Sequence, residues 1–382
     1  MNAVRTGPAV RILSALAVVT VIAAGRAEAC AICLSAVSVT TGQKLDAADQ
    51  VVLARPLPDG KRFRVVEVVK GAAAVGGIIA ERVYSVDAAV VRSNKPLVLL
   101  RNELAQRWEN VGGIDAAYAG WLRRLAALKS SGPGRPNAIW PRTALPSSAE
   151  PTDAEWRERL ALVVPYLEDP EPLVAEIAHG EVARAPYSAI RSTKAQLDAS
   201  AIVRWLKDPK LASRRATYTL LLGIAGGPDD AARLAQRLDA AWQARDAANL
   251  AAMFGADLEL RGPPRVGWIE QKYFADRSRT MPEIEAALLA LGVHGRANAA
   301  IPRERVIAAY RFFIKERKPM AGFVALELAD WGHWDATGDY VALLKADAVK
   351  DPASHFAFVN YLQRSPRAEA KAALQSLASQ RR

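Results

Sequence analysis

Two stretches in the middle of the chain share one pattern of apolar positions. Each follows an Asp-Pro pair, and the two aspartates, Asp169 and Asp208, lie 39 residues apart. Proline disfavours helical geometry in the residue before it, and the aspartate can accept a hydrogen bond from the free N–H groups of the next helix. Apolar residues then recur every three or four positions, as at Val174 and Ile177. Similar periodicity continues to the C-terminus, so residues 153–382 are predicted to form an array of helix pairs.

Between residues 46 and 115 the pattern changes to short β-branched runs separated by turn residues. The runs that predict strands are 49–54, 63–69, 78–86 and 97–101. Strands at this spacing are typical of a small antiparallel barrel or sandwich. The sequence therefore predicts an α+β multidomain chain, in which a small antiparallel β-barrel is followed by an α-solenoid-like helical array.

Proline and glycine mark the boundaries between these regions. A helix is predicted over 116–129, and it completes a small β-domain at 30–129. Residues 130–152 are rich in Ser, Gly and Pro and predict a linker before the helical domain. Residues 255–280 contain a Gly-Pro-Pro run and are predicted to be the longest irregular stretch. Because loops often carry function, this stretch is also predicted to be a functional loop.

The second copy of the helix-pair pattern resembles a HEAT repeat. In that family, Asp-Pro is followed by a branched apolar residue, an arginine and a Leu-Gly pair. Arg214 follows Asp208 as the family pattern requires. Leu222 and Gly223 lie one residue out of phase, and the first copy has alanine where the arginine is expected. The resemblance covers about 153–227 and implies stacked two-helix repeats. An irregular helical domain without true repeats is the alternative.

The β-region resembles the netrin-like barrel of tissue inhibitors of metalloproteinases, an OB-type fold. It has a closely spaced pair, Cys30 and Cys33, then Ala-Asp-x-Val at 48–51 and Phe-x-Val-x-x-Val-x-Lys-Gly at 63–71. The resemblance implies a protease-inhibitory role in which an N-terminal cysteine meets a catalytic zinc. The Cys-x-x-Cys spacing departs from the commoner Cys-x-Cys, and the family's distant cysteines are missing, so its bridges cannot form. An unrelated small β-domain is the alternative.

The first 29 residues predict a secretory signal peptide. Two arginines precede an apolar run from Ile12 to Ala24, and an Ala-x-Ala cleavage site ends at Ala29. Cleavage removes three Arg and one Glu, which lowers the formal net charge from +11 to +9. The cleaved protein would begin at Cys30, so a lipoprotein is an alternative, but Glu28 fits a lipidation site poorly. We therefore expect a periplasmic or secreted protein, which contacts the membrane only if Cys30 is lipidated.

Cys30 and Cys33 are the two cysteines of the chain. In an oxidising compartment this pair is predicted to form a disulfide. The same spacing can hold a low-pKa thiolate, so a redox role is an alternative. The sequence around the pair lacks the Trp-Cys-Gly-Pro context of thioredoxin-like enzymes, and two cysteines alone are too few ligands for zinc.

The sequence offers few candidate functional residues. The four histidines are isolated, without the pairing that a catalytic metal site requires, so neither an enzyme nor a cofactor or metal is predicted. Trp331, His333 and Trp334 surround Gly332, and this cluster could stack on a sugar or peptide, although tryptophans at a helix corner are often buried. Basic and acidic residues alternate along the helices, and no aromatic-basic motif indicates nucleic-acid binding.

These features together predict an exported binding or scaffold protein of the bacterial cell envelope. Stacked helix pairs build extended surfaces, so we expect the helical array to bind a protein or an envelope polymer. The alternative function is a thiol-disulfide or protease-inhibitory role centred on Cys30 and Cys33.

Overall fold

The structure is a computed structural model. It describes residues 32–33, 39–86, 95–102, 106–128, 151–346 and 351–380. The predicted signal peptide at 1–29, Cys30 and residues 130–150 of the predicted linker lie outside the described residues. No helix in the described ranges is both long enough and apolar enough to cross a membrane.

A curled sheet forms the N-terminal part of the described chain. Its strands are β1 Gln50–Pro56, β2 Phe63–Lys70, β3 Ile78–Ile79, β4 Val83–Tyr84, β5 Leu97–Asn102 and β6 Arg107–Gly113, in the order β3-β2-β1-β5-β6-β4. The edge strands β3 and β4 are joined by only residues 80–82, so the sheet must curl to bring its edges together. The result is a half-barrel, where a small antiparallel β-barrel was predicted. It is also not purely antiparallel, because β4 runs parallel to β6.

Helices make up most of the chain after the sheet. The α-helices are α1 Thr41–Ala47, α2 Ala119–Ala127, α3 Asp153–Val163, α4 Pro172–Arg184, α5 Tyr187–Arg191, α6 Ala199–Lys207, α7 Arg215–Ala225, α8 Pro228–Ala244, α9 Leu250–Arg261, α10 Pro264–Ile269, α11 Met281–Ala297, α12 Arg303–Glu316, α13 Ala325–Asp330, α14 Thr337–Lys345, α15 Pro352–Arg364 and α16 Ala368–Gln380. A π-helix at Glu270–Ala275 follows α10, and 3₁₀ segments include Pro209–Arg214 and Lys318–Val324. The predicted order, a β-sheet followed by a helical region, is confirmed.

Strand β1 is apolar on both faces because both faces are buried. Val51 and Leu53 belong to the core shared with the helices, whereas Val52 and Ala54 point into the half-barrel. The same alternation holds for β5. A strand covered on both sides has no polar face, which explains the continuous apolar run in its sequence.

The aspartates of the three Asp-Pro pairs each accept a backbone hydrogen bond, but only one of them directly begins an α-helix. Asp351 accepts a hydrogen bond from the Ser354 backbone N–H at 2.7 Å and begins α15, as predicted. Asp208 caps a 3₁₀ segment before α7 begins. Asp169 accepts from the Glu171 backbone N–H at 2.8 Å, but α4 begins only at Pro172.

The stretch at 255–280 is mostly helical, so the prediction of an irregular segment was wrong. Gly255 does not break α9, because it lies at the point where α9 crosses α7. A Cβ on Gly255 would lie 2.6 Å from Leu220, and a Cβ on Gly223 would lie 2.5 Å from the Cα of Ala256. Glycine therefore permits a close approach of the two helices.

A buried group of four charged side chains joins α1 to the helices α3 and α4. Arg159 and Arg184 each donate to the Asp46 carboxylate, at 2.8 and 2.5 Å, and both also donate to Glu181. All four side chains are at most 2% exposed. Burial acts to raise the pKa of Glu181, but Arg184 and Arg159 outweigh it and hold that pKa below its usual range. We call this set the buried charge cluster.

Candidate functional site

A groove of about 270 Å³ opens between three segments of the helical region. It is lined by Met281 at the start of α11, by Pro319, Met320 and Phe323 of the 3₁₀ segment, and by Asp351, Ala353 and Ser354 at the start of α15. Met281 is 46% exposed. Phe356 lies one turn beyond Ala353 on the same side of α15 and is 51% exposed. The cavity and this exposed apolar surface together form what we call the methionine groove.

Capping residues fix the two helical walls of the methionine groove. Both the backbone N–H and the hydroxyl of Thr280 donate to the Glu283 carboxylate, at 2.8 and 2.9 Å, and this capping box fixes the start of α11. The Asp351 carboxylate is engaged with the backbone of α15, as described above. The walls are therefore held by the helix ends themselves.

The 3₁₀ segment forms the third wall and is anchored from both sides. The Tyr340 hydroxyl donates to the Ala321 carbonyl at 3.0 Å. Arg317, just before the segment, donates to the backbone carbonyl of Phe274 at 2.8 Å. This hydrogen bond ties the 3₁₀ segment to the π-helix. A Cβ on Gly322 would overlap the backbone of Ser354, so glycine lets this segment lie directly against α15. A 3₁₀ run of seven residues is uncommon and needs such support.

The described lining has two polar side chains, the Ser354 hydroxyl and the Asp351 carboxylate. Ser354 is 1% exposed, and its Oγ has no hydrogen-bond partner within the described part of the chain. A buried hydroxyl without a partner is energetically unfavourable, and at 1% exposure this one lies behind the surface that a bound group would contact. The methionine and phenylalanine side chains of the methionine groove can contact an apolar group.

The predicted cluster at the helix corner has a packing role. Trp331 stacks on Tyr310 with ring centroids 5.8 Å apart and an interplanar angle of 2°. Trp334 packs against Tyr361, with ring centroids 5.2 Å apart, and the Tyr361 hydroxyl donates to the His333 carbonyl. The two indoles thus rest on different helices, and both are partly buried. Ligand binding by Trp331, His333 and Trp334 stays a prediction.

Cys33 lies against the helical region and is 5% exposed. The Thr217 hydroxyl donates to the Cys33 carbonyl at 3.3 Å and lies 3.1 Å from Nε2 of His179. Burial, with a smaller effect of Arg214, lowers the pKa of His179 to about 4. Because Cys30 lies outside the described residues, the disulfide and the thiol-based function stay predictions. Exchange with an external disulfide would require the Cys33 sulfur to become accessible.

The methionine groove was missed by the sequence-based prediction because its walls come from distant segments. A sequence signal does exist: two of the four methionines stand beside prolines, as Met281-Pro282 and Pro319-Met320. Proline limits the backbone and methionine supplies a flexible apolar side chain, a combination that suits an adaptable binding surface.

Comparisons with known proteins give no relative to guide the assignment. The chain matches no family model, no curated protein and no solved structure. Within the described residues, no group of three or more His, Cys, Asp and Glu side chains could hold a metal ion.

Proposed function

We propose that the protein is an exported binding protein of the bacterial cell envelope that captures an apolar segment of a polypeptide in the methionine groove. The observation that carries the proposal is the cavity itself, with Met281, Met320 and Phe323 in its walls. Methionine adapts its shape to different partners, so such a surface accepts varied sequences. The predicted signal peptide supplies the location.

The volume of the groove suits one or two large side chains. Pockets for whole small-molecule ligands are about 300–1,000 Å³, and this cavity lies just below that range. A polypeptide can insert an anchor residue here and extend along the exposed Phe356.

The charges next to the groove in the sequence favour an acidic partner. Three basic residues of the described chain, Arg277, Lys315 and Lys318, are exposed and lie within four residues of the lining, against one exposed acidic residue, Glu285. The carboxylate of Asp351 is engaged with its own helix. Opposite charge on a partner steers association and excludes basic segments. The preferred peptide therefore carries an apolar anchor flanked by Asp or Glu.

We also propose the finer architecture that the sequence suggests, a HEAT-type helical array and a netrin-like half-barrel. Helix α6 packs against α7, and α8 against α9, while α7, α9 and α11 also contact each other in succession. These contacts support a HEAT-type array of stacked pairs, which would provide the extended surface around the groove. For the half-barrel, the motif at 63–71 supports a netrin-like origin.

Fluorescence anisotropy with defined peptides tests this function. The probes are labelled peptides with a central Leu flanked by Glu, the same peptide flanked by Lys, and the Glu-flanked peptide with Ser in place of Leu. We expect the exported protein to bind the Glu-flanked Leu peptide best. Met281→Glu should weaken that binding, because it places a charge in the apolar entrance.

Val75→Glu is the matched control, since Val75 is 67% exposed on a loop beside the sheet. Intact mass identifies the N-terminus of the purified protein and shows whether cleavage follows Ala29. The proposal is wrong if none of the peptides binds, or if Met281→Glu and Val75→Glu have equal effects.

A further inference from the structure

The loop between β2 and β3 exposes an unusual amount of apolar surface. Residues 71–78 contain only Gly, Ala, Val and Ile, without one polar side chain. Val75 in the loop is 67% exposed, and Ile78, the first residue of β3, is 46% exposed. Ala72 and Ala74, which lie between β2 and Val75 in the sequence, are exposed as well. Exposed apolar residues that are contiguous mark a surface for another molecule.

This loop has a defined shape. The Gly76 N–H donates to the Val65 carbonyl at 2.8 Å, and the Val65 N–H donates to the Gly77 carbonyl at 2.9 Å. Gly71 and Gly76 adopt φ values of 94° and 84°, which L side chains rarely adopt, so glycine is required for the turn. The loop therefore presents Val75 at a fixed tip of the half-barrel.

Basic residues stand beside the apolar tip. In the strand register, Arg64 of β2 lies opposite Arg55 of β1 and opposite Ile78 of β3, and all three are exposed. Residues opposite each other in neighbouring strands point to the same face of the sheet, so Arg64 lies beside Ile78 next to the loop. Residues 55–82 hold six Lys and Arg against three Asp and Glu, so the local charge is positive.

We propose that this surface, residues 71–78 together with Arg64, docks on an anionic lipid bilayer. A convex apolar tip inserts into a planar interface without needing a matching pocket, and basic residues next to it contact the anionic headgroups. The tip inserts Val75 and Ile78, while Arg64 stays at headgroup level. The protein would then lie on the membrane surface.

Vesicle flotation tests this docking surface. The exported protein, with its N-terminus identified by intact mass, is mixed with vesicles of phosphatidylcholine alone or with about one-third phosphatidylglycerol. We expect binding only to the anionic vesicles, and weaker binding at high salt. Val75→Glu should reduce binding roughly tenfold or more, since it removes apolar area and adds a negative charge. Arg64→Gln should reduce it about fivefold, the effect of one basic residue at such a surface.

Val39→Glu is the matched control, since Val39 is 53% exposed and lies outside the loop, and it should bind these vesicles like the wild type. Thermal melts of each variant show whether the fold is kept. Equal binding to neutral and anionic vesicles overturns the proposal, as does unchanged binding by folded Val75→Glu. Absence of vesicle binding by the wild type overturns it too, even if an acidic protein binds the same loop.

Discussion

Replacement of Asp46 by Asn should strongly destabilise the protein. The Asp46 carboxylate accepts hydrogen bonds from both arginines of the buried charge cluster. Its loss leaves Arg159 and Arg184 with Glu181 as the one remaining carboxylate of the cluster, in a site that is at most 2% exposed. Arg159 already has one nitrogen, Nη1, without a hydrogen-bond partner in the described chain, so the cluster has no spare acceptor.

The size of the effect follows from the burial. Removing one partner of a buried ion pair costs about 3–5 kcal/mol, because a charge is left uncompensated away from water. Native proteins have free energies of unfolding of about 5–15 kcal/mol, so the loss is a large share of the total. An exposed pair contributes about 0–1 kcal/mol by contrast. Arg364 and Asp330 form such a pair, with both side chains 42% exposed.

Urea denaturation of the full chain, followed by circular dichroism, measures the difference. Asp46→Asn should lower the urea midpoint far more than the control Asp330→Asn. An equal shift for the two variants would refute the argument, because it would mean that the buried charge cluster contributes no more than a surface pair. A double variant, Asp46→Asn with Arg184→Met, should recover part of the loss by removing one uncompensated charge.

Two further predictions concern pH and the cysteine pair. The pKa of His179 is about 6.5 in the unfolded chain and about 4 in the folded protein. The neutral ring therefore contributes about 3 kcal/mol to the free energy of unfolding above pH 6.5, and this contribution is lost as the pH falls towards 4. Urea midpoints measured across this range should fall less steeply for His179→Gln, and parallel curves would contradict this. Reduction of Cys30 and Cys33 should shift the thermal midpoint by only a few degrees, because a ring this small contributes about 1–2 kcal/mol. A melt in which reduction unfolds the sheet would make the disulfide essential.

Local patterns in the sequence are enough to predict most elements. Short β-branched runs bounded by turn residues predicted the strands, and the 3–4 periodicity predicted the helices, since each pattern reports on one element and its burial. The error at 255–280 has a physical cause. The stretch was predicted to be irregular from its Gly-Pro-Pro run, whereas Gly262 only separates α9 from α10, and Gly255 admits Leu220 of the neighbouring helix. Glycine in a turn and glycine in a helix crossing have the same local sequence signal.

The methionine groove shows why sites are harder to predict than elements. Its walls at Met281, Pro319 and Ser354 are separated by more than 30 residues from one wall to the next. The unpaired hydroxyl of Ser354 is also invisible in the sequence, since a serine near a helix start is usually exposed or used as a cap. Both properties depend on which segments the fold brings together.

The order of the segments along the chain differs from their order in space, and this bears on the predicted domain boundary. Ile32 lies against the helical region, where it approaches Gly255, and α1 is bonded to α3 and α4 through Asp46. The outer face of β1 belongs to the same apolar core as these helices. A composition rich in Ser, Gly and Pro indicates a stretch of chain that need not pack against the rest of the protein. It does not show that the segments on either side fold separately. A helical fragment beginning at residue 153 would lack Asp46 and would expose the surface that β1 covers. Its stability would then depend on how much of this shared core the remaining helices can close by themselves.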